Sequence, residues 1–94
     1  MLTVTLAARE HLLAKLNRRQ AAPDCAIRIM RRRKGWRLRL AQLRPGDVAI
    51  ALEGERVLVL GASVATAMSA LTLDLRGAGQ DARLKLLRTE PEGQ

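Results

Sequence analysis

Short alternating runs of apolar and polar residues dominate this chain, and one stretch near the start departs from them with helical spacing. The rest is organised around Ala26 to Ala41, where two alternating runs flank a turn of Arg31, Arg32, Arg33, Lys34 and Gly35. Strand side chains point to opposite faces in turn. Ile27 and Ile29 therefore share one face with Trp36, Leu38 and Leu40, while Arg28, Arg37 and Arg39 take the other. The pattern predicts a β-hairpin with an apolar inner face, a cationic outer face and a densely positive tip.

Met1 to Thr5 alternates Leu2 and Val4 against Thr3 and Thr5 and predicts a short strand, with Thr5 placed to cap a following helix. From Leu6 to about Arg19 the spacing becomes helical, with Ala8, Leu12, Leu13 and Leu16 on one face. Arg18 and Arg19 fall in the last turn, where cations oppose the negative end of the helix dipole. After the hairpin, Pro45-Gly46 is the strongest turn signal in the chain. Val48, Ile50 and Leu52 alternate next, and Glu53-Gly54-Glu55 turns the chain into Arg56 to Leu60. That run is apolar on both faces and predicts a central, doubly covered strand. Ala62 to Ala70 reads as a short helix or turn, Leu71 to Leu75 as a strand, Gly77 to Gln80 as a flexible turn, and Ala82 to Arg88 as a last strand with Leu84 and Leu86 inward. The result is mainly β with one N-terminal helix, an α+β chain of short, mostly antiparallel strands in a compact sandwich or partial barrel. A single domain over 1–88 and a flexible tail over 89–94 are expected.

Composition changes this picture in two ways. Trp36 is the only aromatic residue among 94, so the core must come from Leu, Val, Ile, Ala and Met. The same scarcity removes the stacking platforms on which single-stranded nucleic-acid binders rely. The formal charge of +8 favours partners of negative potential. It is concentrated in residues 1–47, which hold twelve Lys and Arg against three Asp and Glu; residues 48–94 hold five against six. Arg outnumbers Lys fourteen to three, a bias that genomic composition can also produce, although it accounts less well for four consecutive cations. One cysteine, Cys25, excludes an internal disulfide framework and suits a reducing compartment. No apolar run is long enough to span a bilayer, and the N-terminus lacks the basic-then-apolar order of a secretion signal. A cytoplasmic protein without a membrane partner is expected.

Catalytic chemistry finds little support. His11 is the only histidine, lies inside the helix and has no acidic partner at catalytic spacing. Cys25 follows Asp24, whose charge raises a thiol pKa instead of lowering it. Glu53 and Glu55 read as solvated turn residues, Asp47 as a residue of the turn before its strand, and Asp74 as an outward carboxylate. Gly77-Ala78-Gly79 is too short for a phosphate loop and opens no helix. No catalytic residue, metal ligand or cofactor is assigned, and an enzyme is not expected.

Several stretches in order resemble the HesB-like domain of A-type iron–sulfur cluster carriers. Thr3 to Leu12 resembles that family's opening strand and helix, and Ile27-Arg28-Ile29 its Leu-Arg-Leu-type strand. Pro45-Gly46-Asp47-Val48 and Gly54 to Val59 are similar to its Pro-Gly-Asp turn and following hairpin, and Leu71-Thr72-Leu73-Asp74-Leu75 to its Thr-x-Leu-Asp strand. The resemblance runs from Leu2 to Arg88 and implies a HesB-like β-sandwich or pseudobarrel. It also implies three cysteine ligands: one in the loop after the Leu-Arg-Leu strand and a Cys-Gly-Cys pair near the C-terminus. Here that loop reads Met30 to Gly35 without a cysteine, Thr89 to Gln94 stands where the pair is expected, and Cys25 lies off the pattern. Guanidinium cannot ligate iron, having a fixed positive charge and no free lone pair.

Three readings follow. The first is a non-enzymatic, HesB-like protein without cluster ligands, an accessory of iron–sulfur assembly or a repurposed binding module, with a homodimer open. The second is a basic hairpin that binds nucleic acid or another polyanion, including an acidic protein, through Arg28, Arg31, Arg32, Arg33, Lys34, Arg37 and Arg39. Against it stands a plainer use of the same cations, which protect an edge strand from pairing with other chains. The third, a small SH3-like barrel over Leu43 to Gly61, fits the leading helix less well.

Overall fold

The computed structural model describes residues 2–89. The tail expected over 89–94 therefore lies outside the described residues, except for Thr89. Seven strands and two helices follow one another as β1 (Thr3–Val4), α1 (Leu6–Arg18), β2 (Cys25–Arg32), β3 (Gly35–Gln42), β4 (Val48–Leu52), β5 (Glu55–Leu60), α2 (Ala62–Ala67), β6 (Leu71–Arg76) and β7 (Arg83–Arg88). They form two sheets, one ordered β1-β6-β7 and the other β3-β2-β5-β4. Hairpin neighbours pair antiparallel, whereas β1 with β6 and β2 with β5 pair parallel across long stretches of chain.

Thr5 begins α1 as the sequence indicates. Its hydroxyl oxygen accepts from the Ala8 amide at 3.2 Å, and the same hydroxyl donates to Asp74 Oδ1 at 2.8 Å. One residue thus ends the first strand, starts the helix and ties both to β6. Ala8, Leu12 and Leu16 are buried on the inner helical face, and Leu13 is half-buried at its border. The helix touches β2, β4, β5 and β6. Its apolar face meets Ile27, Ile29, Leu58, Leu60, Met68 and Leu73 in the core.

Val57, Val59, Leu58 and Leu60 are all within 1 % of complete burial, as expected of a doubly covered strand. The irregularity in β4–β5 pairing falls here: Ala51 pairs with Arg56 and Ile50 with Leu58, leaving Val57 as an extra residue. A bulge of this kind shifts the alternation by one residue, so Val57 joins the core with Leu58 and Leu60. The turn between β4 and β5 holds Glu53 at φ 53° and Gly54 at φ 82°. Two positive φ values match the tight turn that suits the twist of a two-residue hairpin.

The basic hairpin is tighter than its sequence indicates. Arg31 and Arg32 belong to β2, Gly35 opens β3, and Arg33 and Lys34 alone make the turn. Gly35, at φ 128°, takes the backbone conformation that neither cation adopts.

Candidate functional site

Exposure singles out the β2–β3 hairpin. Arg31, Arg32, Arg33, Lys34, Arg37 and Arg39 are all exposed, and among the described residues none pairs with a carboxylate. Register explains how they are displayed. Met30 lies opposite Arg37, and Arg28 opposite Arg39, on one face; Ile29 opposite Leu38, and Arg31 opposite Trp36, on the other. Arg31 therefore continues the inner row past the core, with its guanidinium 5.7 Å from the centre of the Trp36 ring. Such cation–π contacts are worth about 0.5–1 kcal/mol when exposed.

Arg28 departs from the expected solvent-facing cationic row and is a correction to it. It is 7 % exposed, sits in a central strand and pairs with Asp47. Nη1 donates to Asp47 Oδ1 at 3.1 Å, Nη2 donates to Asp47 Oδ2, and Nη2 also donates to the Gln42 carbonyl at 3.1 Å. Asp47 Oδ2 further accepts the Arg44 amide at 2.7 Å. The Arg28 guanidinium beside it holds the Asp47 carboxyl below its ordinary value, and the Arg44 amide adds to the effect against the opposing cost of burial. At the base of the hairpin the Gln42 side chain donates to Asp24 Oδ2 at 3.0 Å, and the Leu43 amide donates to the Asp24 carbonyl at 3.1 Å. These bonds fasten the 43–47 loop to the hairpin. The pair was readable in part: a charge between buried Ile27 and Ile29 needs a counter-charge. What the residue pattern does not say is which carboxylate supplies it.

Beside the cations lies an apolar cleft. Strand β3 ends one sheet and β7 ends the other. Between them Trp36 and Leu38 face Leu84 and Leu86 over a floor of Ile29 and Leu73, enclosing about 330 Å³ with Lys85 at the wall. A second cleft of about 310 Å³ continues along β3 towards α1, where Lys15, Arg19 and Arg39 surround Ile27, Leu38 and Leu40. A third, at the tip, takes in Arg32 to Arg37. This sequence of clefts was not legible in the residue pattern, because it arises where two separate sheets meet.

His11 and Cys25 lie away from the cations of the hairpin tip. His11 is half-buried on α1, and burial first, then Lys15 and Arg18, lower its pKa. Cys25 opens β2, and partial burial followed by the Asp24 charge raises its thiol pKa. The ligating form of a cysteine is the thiolate, so this setting works against metal binding. Among the described residues no three His, Cys, Asp or Glu side chains gather where they could hold a metal ion. The residues present, four cations at the tip and one protonated thiol elsewhere, do not fit an iron–sulfur cluster. Among the described residues no helix is long and apolar enough to cross a membrane.

No protein-family model and no curated protein matches the sequence significantly. Solved structures do match its fold. SufA from Escherichia coli, described as involved in the biosynthesis of iron–sulfur clusters, superposes with a TM-score of 0.72 at 18 % identity, covering 93 % of this chain and 84 % of SufA. IscA, solved with a [2Fe-2S] cluster, superposes with a TM-score of 0.59 at 22 % identity, covering 94 % and 85 %. The fold is that of the HesB-like A-type carriers.

Proposed function

We propose that this chain is a non-enzymatic binding module on the A-type carrier scaffold, one that engages an acidic protein partner through its basic hairpin instead of holding a cluster. The observation that carries this reading is the coincidence at the β2–β3 hairpin of six exposed cations, unpaired among the described residues, with an apolar cleft. Cations alone would serve any polyanion. An apolar cleft beside them favours a partner that brings apolar side chains as well as negative charge, which nucleic acid does not. The relation to iron–sulfur assembly rests on the fold shared with SufA and IscA, and an accessory role in that process is the natural setting for such a module. The single thiol, Cys25, suits the reducing cytoplasm.

The test is a titration of poly-L-glutamate against the protein at low and at high salt. It is repeated with Arg31, Arg32, Arg33 and Lys34 all replaced by Ala. Binding at low salt that weakens with added salt, and weakens again in the variant, is expected of exposed charges. No binding at low salt, or binding indifferent to the four replacements, overturns the reading.

A further inference from the structure

We propose that the free edge of β3 receives an extended segment of the acidic partner as an additional strand, with apolar and acidic residues alternating along it. This rests on the reading above and specifies the chemistry of the segment. As the end strand of its sheet, β3 has one row of backbone N–H and C=O groups without a neighbouring strand among the described residues. Extended peptides bind such edges by completing the hydrogen-bond ladder, and the side chains at alternate positions supply selectivity.

The two faces of β3 set the code. Trp36, Leu38 and Leu40 are half-buried on the inner face and border the clefts towards β7 and α1, while Arg37 and Arg39 are exposed on the outer face. A strand laid beside β3 places its own alternate side chains next to these two rows. Apolar residues in one parity cover the Trp36–Leu38–Leu40 row, and acidic residues in the other meet Arg37 and Arg39. The eight residues of β3 span about 26 Å at strand rise, enough for a segment of similar length.

Charge decides against the other occupants. A second copy of β3 in antiparallel pairing brings Arg37 and Arg39 against their own kind, and like charges across a ladder are unfavourable. Nucleic acid satisfies the cations but leaves the apolar cleft between β3 and β7 wet, and the one aromatic face in reach already carries Arg31.

Trp36, the only aromatic residue in the chain, gives an intrinsic fluorescence signal from the site itself. Titrating the whole protein with an eight-residue peptide of alternating valine and glutamate is expected to shift Trp36 emission. It should bind at least tenfold more tightly than a scrambled peptide of the same composition. N-methylation of the peptide amides in one parity should abolish binding, and in the other leave it intact, because only one parity faces the β3 edge. The double variant Arg37→Glu/Arg39→Glu, checked for an unchanged urea midpoint, should lose that peptide and gain one alternating valine and lysine. Equal binding of the alternating and scrambled peptides, or tolerance of N-methylation in both parities, overturns strand addition while leaving the acidic-partner reading intact. Binding of a DNA duplex with none of either peptide overturns both.

Discussion

Replacing Asp47 by Ala should destabilise this protein more than any comparable surface change. The side chains of Arg28 and Asp47 are 8 % and 5 % exposed, so the substitution strands a guanidinium inside the fold. Two charge-assisted bonds from Arg28 disappear, together with the Arg44 amide's acceptor, leaving only the Gln42 carbonyl on Nη2. Arg28 Nε already has no partner among the described residues, so there is little local capacity to absorb the loss. Breaking a buried pair from one side costs about 3–5 kcal/mol, a large share of the roughly 5–15 kcal/mol that holds a domain together. In urea, where a small domain loses about 1–3 kcal/mol per molar, this corresponds to a midpoint lowered by about 1–5 M. The double variant Arg28→Met/Asp47→Leu should recover most of the loss, since apolar residues of similar size often replace a buried pair at little cost. The pair also predicts a pH dependence. The Asp47 pKa is lower in the folded state than in the unfolded chain. Its contribution is therefore complete above the unfolded value, near 3.9, and is lost as pH falls through the folded value. The gap between wild type and Asp47→Asn should accordingly narrow in acid. A loss below about 1 kcal/mol for Asp47→Ala, the scale of an exposed ion pair, would refute the reasoning.

Other perturbations test the scaffold around the site. Thr5→Ala removes the α1 cap and should lower stability by about 1–2 kcal/mol, while Thr5→Ser retains most of it by chemical denaturation. Glu53→Gly relieves a left-handed residue in the β4–β5 turn and should raise the thermal midpoint, with a gain of about 0.5–1 kcal/mol. Gly77→Ala should do the opposite by about 1–3 kcal/mol, because Gly77 sits at φ +88° and an added Cβ lies 2.8 Å from the Asp81 carbonyl oxygen.

Local order was legible in the sequence because local chemistry sets it. Thr5 caps, Pro45-Gly46 turns and the all-apolar run before Gly61 each have a mechanism that acts within a few residues. The resemblance carried by Thr3 to Leu12, the Pro-Gly-Asp turn and Leu71 to Leu75 reached further and indicated the fold that SufA and IscA share. Long-range pairing was not readable. Nothing near β1 says that it joins β6 in parallel, and nothing near β2 says that it joins β5. The same limit explains Arg28. Strand alternation assigned its face correctly, opposite Arg39, but alternation cannot tell whether a face is wet. The 43–47 loop covers that position through Asp47, so an arginine counted with the contact surface instead fastens the loop. The cleft beside Trp36 also escaped the pattern, because its opposite wall, Leu84 and Leu86, lies almost fifty residues away.

At the centre stands the separation of fold from cluster chemistry: a chain with the fold of SufA and IscA whose hairpin presents Arg31 to Lys34 and whose only thiol is Cys25. Anaerobic reconstitution with iron and sulfide, followed by desalting, absorbance and iron analysis, measures it most directly. The expected result is a colourless protein that retains no stoichiometric iron and has an unchanged spectrum in Cys25→Ser. A stable chromophore with stoichiometric iron and sulfide, abolished by Cys25→Ser, would contradict it.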